Sequence, residues 1–256
     1  MNILVDGRVA VVTGASRGIG LAIAHRLVDS GARVVISSRK RENLDRAMGT
    51  FSTSARDKVL AVEAHVGSRD DASRLMASAV EHFGALDILV NNAGTNPYYG
   101  PLVDIDEARM QKTFEVNQAS VVFHTAAAWH QWMAEHGGVM LNIASVGGLG
   151  PEPGIGWYNV TKAAVIHLTK QFAYELAPSV RVNAIAPGLV RTELARDLWQ
   201  EHEQTVSAHI PLQRVGEPDD IASVALALVS DATSWMTGQT VVVDGGTTNQ
   251  PTGGVA

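Results

Sequence analysis

Val9-Ala10-Val11-Val12-Thr13-Gly14-Ala15-Ser16-Arg17-Gly18-Ile19-Gly20 is a short apolar run that breaks into a glycine-spaced turn. Ile19, Ala22, Ile23, Leu27 and Val28 follow at helical spacing, and Gly31 closes the run. The stretch therefore predicts strand, tight turn and helix. Gly14 permits the turn, Gly18 lets the backbone approach a pyrophosphate, and Gly20 lets the helix pack closely on the strand. The helix N-terminus then offers free N–H groups to an anion. Gly14, Ser16, Arg17, Gly18, Ile19 and Gly20 are the candidate phosphate cradle of a dinucleotide. A Gly-rich turn alone is weak, but this one opens a long series of strand–helix units.

Outward from it the alternation continues. Val34 to Ile36, Val59 to Val62, Leu86 to Val90, Val139 to Ile143, Val180 to Ile185 and Thr240 to Val243 read as strands. Asp70 to Phe83, Trp157 to Leu176 and Asp219 to Val229 read as helices, and residues 106–136 as largely helical. The strands are continuous apolar runs, the pattern of strands buried on both faces. The expected fold is α/β: one Rossmann-like, doubly wound parallel sheet of about seven strands with helices on both faces. No linker or repeat divides the chain, so residues 1–256 read as one domain. The tail from Thr247 to Ala256 is polar and Gly-rich, and its end is expected to be loose.

Composition narrows the function. Hydrophobic residues make up 46% and charged residues 18% of the 256, enough for a buried core and against disorder. The net charge of −6 argues against nucleic-acid binding. With no cysteine, disulfides, thiolate metal sites and cysteine nucleophiles are excluded. The nine histidines are scattered with none four apart, so no metal site is expected. No apolar run reaches the ~18–20 residues of a membrane span. Met1 to Gly7 is too short and polar for a signal peptide, so the expected location is the cytoplasm.

The second strand ends in Ser37-Ser38-Arg39-Lys40, with Arg41 behind. An NAD-preferring site would carry a carboxylate near here for the ribose hydroxyls. None lies between Gly31 and Arg41. Ser38, Arg39 and Lys40, with Arg17 from the turn, read as a clamp for the 2′-phosphate of NADP(H); a solvated basic loop is the plainer alternative.

Tyr158 and Lys162 lie four apart in a predicted helix, so phenol and ammonium can share a face. A nearby cation is expected to lower the phenol's pKa and make it a usable acid or base near neutrality. The spacing alone is weak, but it stands in a set. In order come the turn at 13–20, Asn91-Asn92-Ala93-Gly94, Asn117, Ser145, Tyr158 with Lys162, and Pro187-Gly188.

Over nearly its whole length this set resembles the short-chain dehydrogenase/reductase family. The resemblance implies that Tyr158 is the general acid, that Ser145 holds the carbonyl oxygen, and that Lys162 binds the nicotinamide ribose and tunes Tyr158. It implies that Asn117 holds a water linking Lys162 to solvent. Asn91, Ala93 and Gly94 then shape the floor near the cofactor, and Pro187, Gly188, Val190 and Thr192 lie beside the nicotinamide. One departure stands in Glu63-Ala64-His65-Val66-Gly67: His65 occupies the place where many members carry an Asp facing the adenine, and the Val66 backbone is the substitute contact. The pattern is most similar to the NADPH-dependent carbonyl and retinal reductases called dehydrogenase/reductase member four, and next to 3-oxoacyl-carrier-protein reductases.

The resemblance thus implies NADP(H), a small carbonyl substrate and hydride transfer, with no membrane or nucleic-acid partner and a homotetramer built on the 157–176 helix and last strand. Residues 192–212 read as an amphipathic substrate lid, and Leu149, Trp157, Leu194 and Trp199 as apolar pocket walls, with Tyr98 and Tyr99 as a further wall. A carrier-protein reductase and a catalytically idle cofactor-binding protein are the alternatives.

Overall fold

The computed structural model describes residues 5–200 and 203–249; the tail end expected to be loose lies outside these. The strands are β1 (Val9–Val12), β2 (Arg33–Ser38), β3 (Val59–Glu63), β4 (Ile88–Asn91), β5 (Gly138–Ile143), β6 (Val180–Pro187) and β7 (Thr240–Val243). They form one sheet in the order β3-β2-β1-β4-β5-β6-β7, every pair parallel. Val11 stands in register with Val35 on one side and Leu89 on the other. The strand order reverses between β1 and β4, and ligands of such sheets bind outside the strand C-termini at that split.

Ten helices cross over between the strands among the described residues. They are α1 (Gly18–Asp29), α2 (Arg41–Thr50), α3 (Arg69–Phe83), α4 (Glu107–Phe114), α5 (Ser120–Ala128), α6 (Ala134–His136), α7 (Gly156–Glu175), α8 (Arg196–Trp199), α9 (Glu203–Ala208) and α10 (Pro218–Val229). Alternate residues of each strand enter different cores. Ala10, Val12, Val34, Ile36, Val90 and Leu141 pack with Ile23 and Leu27 of α1, Leu44 of α2 and Ile221 and Ala225 of α10. Val9, Val11, Val35, Leu89, Met140 and Val182 pack with Leu75 and Met76 of α3, Ala128 of α5 and Ala173 of α7. Both faces are dry, which is why the strands read as unbroken apolar runs.

Two elements differ from the sequence reading. Arg41–Thr50 is helical, yet only Leu44 and Ala47 are buried along it, too sparse a stripe to register as periodic. The expected helix over 106–136 is three α segments joined through two π-helical turns, Glu115–Ala119 and Trp129–Met133.

A polar chain runs through the second core. Asn91 donates to Asn142 Oδ1 at 2.9 Å, and Asn142 donates to Thr169 Oγ1 at 2.9 Å, all three buried. Buried polar groups are costly only when left unpaired. Asn142→Leu orphans the Asn91 amide, and we expect a loss of about 1–3 kcal/mol. Thr125→Val, which removes only the 3.5 Å contact to the same amide, should cost less than about 1 kcal/mol. Urea unfolding of the two variants would check the order.

Candidate active site

The turn after β1 is held by its neighbour across the split. Thr13 Oγ1 accepts from the N–H groups of Asn92 at 3.0 Å and Ala93 at 3.2 Å. The Asn92 side chain donates to Thr13 O at 2.8 Å and Gly14 O at 3.1 Å. Asn92 is the residue the sequence reading passed over, although it stands in the quoted Asn91-Asn92-Ala93-Gly94. Asn91, expected near the cofactor, instead turns into the core toward Asn142, because its place in β4 is fully packed. A Cβ on Gly20 would stand 2.3 Å from the Asn92 amide nitrogen, and one on Gly14 2.9 Å from Ala93 Cα. Both glycines are therefore required by packing.

No side chain caps the N-terminus of α1, whereas Ser68 and Asp106 cap α3 and α4. The first N–H groups of a helix have no partner within it. Gly18 has φ +56° and keeps the approach open; its nearest would-be neighbour is Thr192 Cγ2 at 3.3 Å. An uncapped helix start faced by a side-chain-free glycine fits the pyrophosphate of a dinucleotide.

At the end of β2, Ser38 shares a hydrogen bond of 3.2 Å with Ser16 of the turn. Arg17, Arg39 and Lys40 enter no ion pair among the described residues, while Arg41 is tied to Asp45 at 2.9 Å. His65 is half-buried; its Nδ1 accepts from Gly67 N–H at 3.2 Å and its Nε2 lies 3.3 Å from Lys112 Nζ. Val66 is buried.

β5 delivers Ser145, which stands at the mouth of a short 3₁₀ turn and accepts from Gly147 N–H at 3.2 Å. That turn lies directly on α7: a Cβ on Gly148 would meet the Lys162 carbonyl carbon at 2.7 Å. Gly147 and Gly148 are thus needed for Ser145 to reach Tyr158, a requirement the sequence reading missed. The Tyr158 phenol lies close enough to the Ser145 hydroxyl for Ser145 to oppose the rise in its pKa. Lys162, one turn on, is buried and donates to Ile143 O at 2.7 Å; its Nζ lies 5.6 Å from the centre of the Tyr158 ring.

The electrostatics differ from expectation. Burial pushes Tyr158 up to about 12; the Ser145 hydroxyl opposes this and the Glu152 charge adds to it. The expected lowering by Lys162 is absent because the ammonium is itself desolvated, which brings it down to about 8, and it bonds to a carbonyl rather than to the phenol.

Asn117 lies in the first π turn. Its amide donates to Thr95 O at 2.9 Å and Thr161 Oγ1 at 3.1 Å, and accepts from Thr95 N–H at 2.8 Å. Its side chain is therefore spent on holding the Thr95 backbone beside Gly94, where an added Cβ would lie 3.6 Å from Lys162 Nζ. Beyond Pro187, Gly188 N–H bonds Val243 O at 2.9 Å, Val190 bridges to Gly216, and Thr192 closes over Gly18.

The outer walls are less convergent. Leu149 and Leu194 are exposed. The Trp157 indole turns to α4, donating to Met110 O at 2.8 Å. Trp199 lies 5.6 Å from the Arg191 guanidinium, in a cleft with Leu21, Ala22 and His25 of α1. It thus faces α1 rather than Tyr158, and Arg191 beside it is anchored by ion pairs to Glu203 and Glu217.

Fold and site together have the form of a dinucleotide-dependent oxidoreductase, with Tyr158, Lys162 and Ser145 brought to one place. The family profile described as "Enoyl-(Acyl carrier protein) reductase" matches residues 14–248. The chain is 42% identical over 243 residues to the human "Dehydrogenase/reductase SDR family member 4", covering 94% of this chain and 87% of that protein. It is 40% identical over 248 residues to the Caenorhabditis elegans protein of the same name, covering 94% and 95%. Among solved structures, it is similar to a short-chain dehydrogenase/reductase, "Glucose/ribitol dehydrogenase", from Brucella melitensis, with a TM-score of 0.91, 32% identity, and coverage of 96% and 99%. A putative gluconate dehydrogenase from Agrobacterium tumefaciens gives a TM-score of 0.90, 29% identity, and coverage of 96% and 98%. The chain belongs to the short-chain dehydrogenase/reductase family. Members of this family are oxidoreductases that use NAD(H) or NADP(H). No helix among the described residues is long and apolar enough to cross a membrane.

The buried ammonium has a price in stability. Lys162 falls from 10.5 in the unfolded chain to about 8 in the fold. Between those values the unfolded chain binds more protons, so the penalty is full at neutral pH and fades as pH rises from 8 to 10.5. It amounts to roughly 3 kcal/mol. We expect Lys162→Met to raise the Tm of the cofactor-free protein by roughly 5 °C while removing turnover. A fall in Tm in a thermal scan would show that the bond to Ile143 O outweighs the burial cost.

Proposed function

We propose that the protein is an NADPH-dependent reductase of small free ketones and aldehydes, able to run in reverse on secondary alcohols. The observation that carries this reading is the Tyr158–Ser145 hydroxyl pair with buried Lys162 behind it, set beside an uncapped helix start at the sheet split. When bound, the nicotinamide supplies the hydride. Ser145 donates to the carbonyl oxygen and fixes its position. Tyr158, kept as a phenol by its high pKa, gives its proton to that oxygen as it becomes an alkoxide, a far stronger base than a phenolate. Lys162 then stabilises the phenolate through space until a proton returns.

On the cofactor side, the α1 N-terminus would take the pyrophosphate, Lys162 the ribose, and Val190 and Thr192 would stand by the nicotinamide. Arg17, Ser38, Arg39 and Lys40 would take the 2′-phosphate. Support for NADP over NAD is the absence of a carboxylate at the end of β2 and the unpaired state of these cations among the described residues. His65 and Val66 border the adenine side. Leu149, Leu194 and Tyr99 line the substrate approach under the lid; Leu149, Leu194 and Tyr99 are all exposed as they stand.

A 3-oxoacyl-carrier-protein reductase is the second reading; the family profile's description, an enoyl reductase, shares with it a carrier-bound substrate but not the carbonyl chemistry. Docking an acidic carrier asks for free basic side chains near the entrance. Arg191 is paired with Glu203 and Glu217, and Arg196 with Glu193. The helix ends at 129–136 and 172–176 carry Glu135 and Glu175 and no Lys or Arg. Free substrates are therefore preferred. A homotetramer and a cytoplasmic location belong to the same reading. The assembly is supported by exposed Val160 and Tyr174 on α7, Val242 on β7 and Trp235 beside it.

A panel of carbonyl compounds scored by NADPH loss tests the reading; a carrier-bound 3-oxoacyl group reacting tens of times faster than its free analogue would turn it to the alternative. Tyr158→Phe keeps the ring and removes the proton, and we expect kcat to fall at least ~100-fold with NADPH binding nearly intact. Arg39→Ala should weaken NADPH at least about tenfold and NADH little, the worth of one charge-assisted bond. Titration of both cofactors by fluorescence distinguishes this from a general loss of binding.

A further inference from the structure

The loop between Ser145 and Tyr158 carries one carboxylate, Glu152. The residue is exposed, yet its carboxylate folds back onto the site. Asn159, the buried neighbour of Tyr158, donates to Glu152 Oε2 at 3.1 Å and accepts from the Glu152 N–H at 3.2 Å. This reciprocal pair lies flat on Gly147. A Cβ there would come within 2.2 Å of Glu152 Oε2 and 2.1 Å of the Asn159 amide. Gly147 N–H in turn donates to Ser145 Oγ. The carboxylate thus shares one small patch with Gly147, which holds the Ser145 hydroxyl, and with the residue next to Tyr158. Burial raises its pKa, and its charge is close enough to raise that of Tyr158. It enters no ion pair with a cation among the described residues. The proton transfer and the carbonyl contact leave it without a part.

We infer that Glu152 is a specificity-determining residue, a carboxylate fixed beside the Ser145–Tyr158 pair that disfavours carbonyl substrates bearing an anionic group near the carbonyl and favours uncharged or cationic ones. The inference rests on the reductase reading for its chemistry, but the charge filter acts on binding as well as on turnover. Like charges brought together at the partly solvated mouth of the site repel, and added salt weakens the repulsion.

The test is a matched pair, a 3-oxo ester and the 3-oxo acid of the same chain length. The unmodified enzyme should prefer the ester by about tenfold or more in kcat/KM. Glu152→Gln keeps the shape and the Asn159 contact but removes the charge. It should shrink that preference about fivefold or more, chiefly through a lower KM for the acid, with kcat for the ester within about threefold of the parent. Glu152→Asp keeps the charge and should retain most of the preference. Calorimetry of the corresponding hydroxy ester and hydroxy acid on the enzyme–NADP⁺ complex gives the same ratio without turnover. If no carbonyl compound is reduced, the reductase reading fails, and the charge filter is still decided by the two dissociation constants. Should Glu152→Gln not fold, the Asp variant and the narrowing of the parent's preference with added salt decide instead. A preference the same in the parent and the Gln variant, or one indifferent to salt in the parent, overturns the inference.

Discussion

One side chain ties the two halves of the sheet together where the ligand must sit. At the split between β1 and β4 the crossover helices leave in opposite directions, and the ladder carries on just past the end of β1 through Thr13 N–H to Val90 O at 3.0 Å. Asn92 spans this gap with its donors on Thr13 O and Gly14 O, while Thr13 Oγ1 takes up the next two N–H groups of the β4 loop. The glycine turn thereby acquires a fixed shape, α1 starts at a fixed point, and its bare N–H groups aim at one place. On the β4 side the same clamp leads to Gly94 and Thr95, which Asn117 holds against Lys162. Phosphate end and catalytic end are therefore positioned from one set of hydrogen bonds.

The catalytic end is organised by exclusion of water more than by charge pairing. Tyr158 and Lys162 are both desolvated, and each is displaced toward its neutral form. A phenol that resists ionisation suits a proton donor, and a main-chain carbonyl keeps the ammonium from collapsing onto the phenol. The 3₁₀ turn at Val146–Gly148 makes this density possible, since only glycine lets it lie on the α7 backbone.

Much of this was legible in the sequence, and the limits have physical causes. The central strands announced themselves because both faces of each are dry. The helices α1, α3, α7 and α10 did so because each buries a broad stripe. Helix α2 did not, with only Leu44 and Ala47 facing inward. Tyr158, Lys162, Ser145 and Asn117 were visible as a set, but not what their side chains bond to. Asn91 and Asn92 are adjacent and chemically identical, and strand alternation alone decides that the first enters the core while the second holds the turn. The direction of the Tyr158 shift depends on desolvation, which no spacing reveals. Trp199 was read as a pocket wall because the fork of Glu203 and Glu217 on Arg191, which sets where the lid rests, joins residues far apart in the chain.

The long helical passage from α4 to α6 shows a further kind of constraint. Its buried positions recur at intervals of four: Thr113, Asn117, Val121 and Thr125 in one row, Val116, Ser120, His124 and Ala128 in another. A helix of 3.6 residues per turn would carry such rows around its axis by about 40° at each step. The π turns absorb the drift by adding length to the coil at intervals, as a leap day keeps a calendar in season. Removing one residue from Glu115–Ala119 would leave the hydrophobicity of the segment almost untouched, yet turn everything downstream by about 100°. The passage should therefore tolerate exchange of its letters far better than a change in their number: its length specifies the structure in a way that its composition does not.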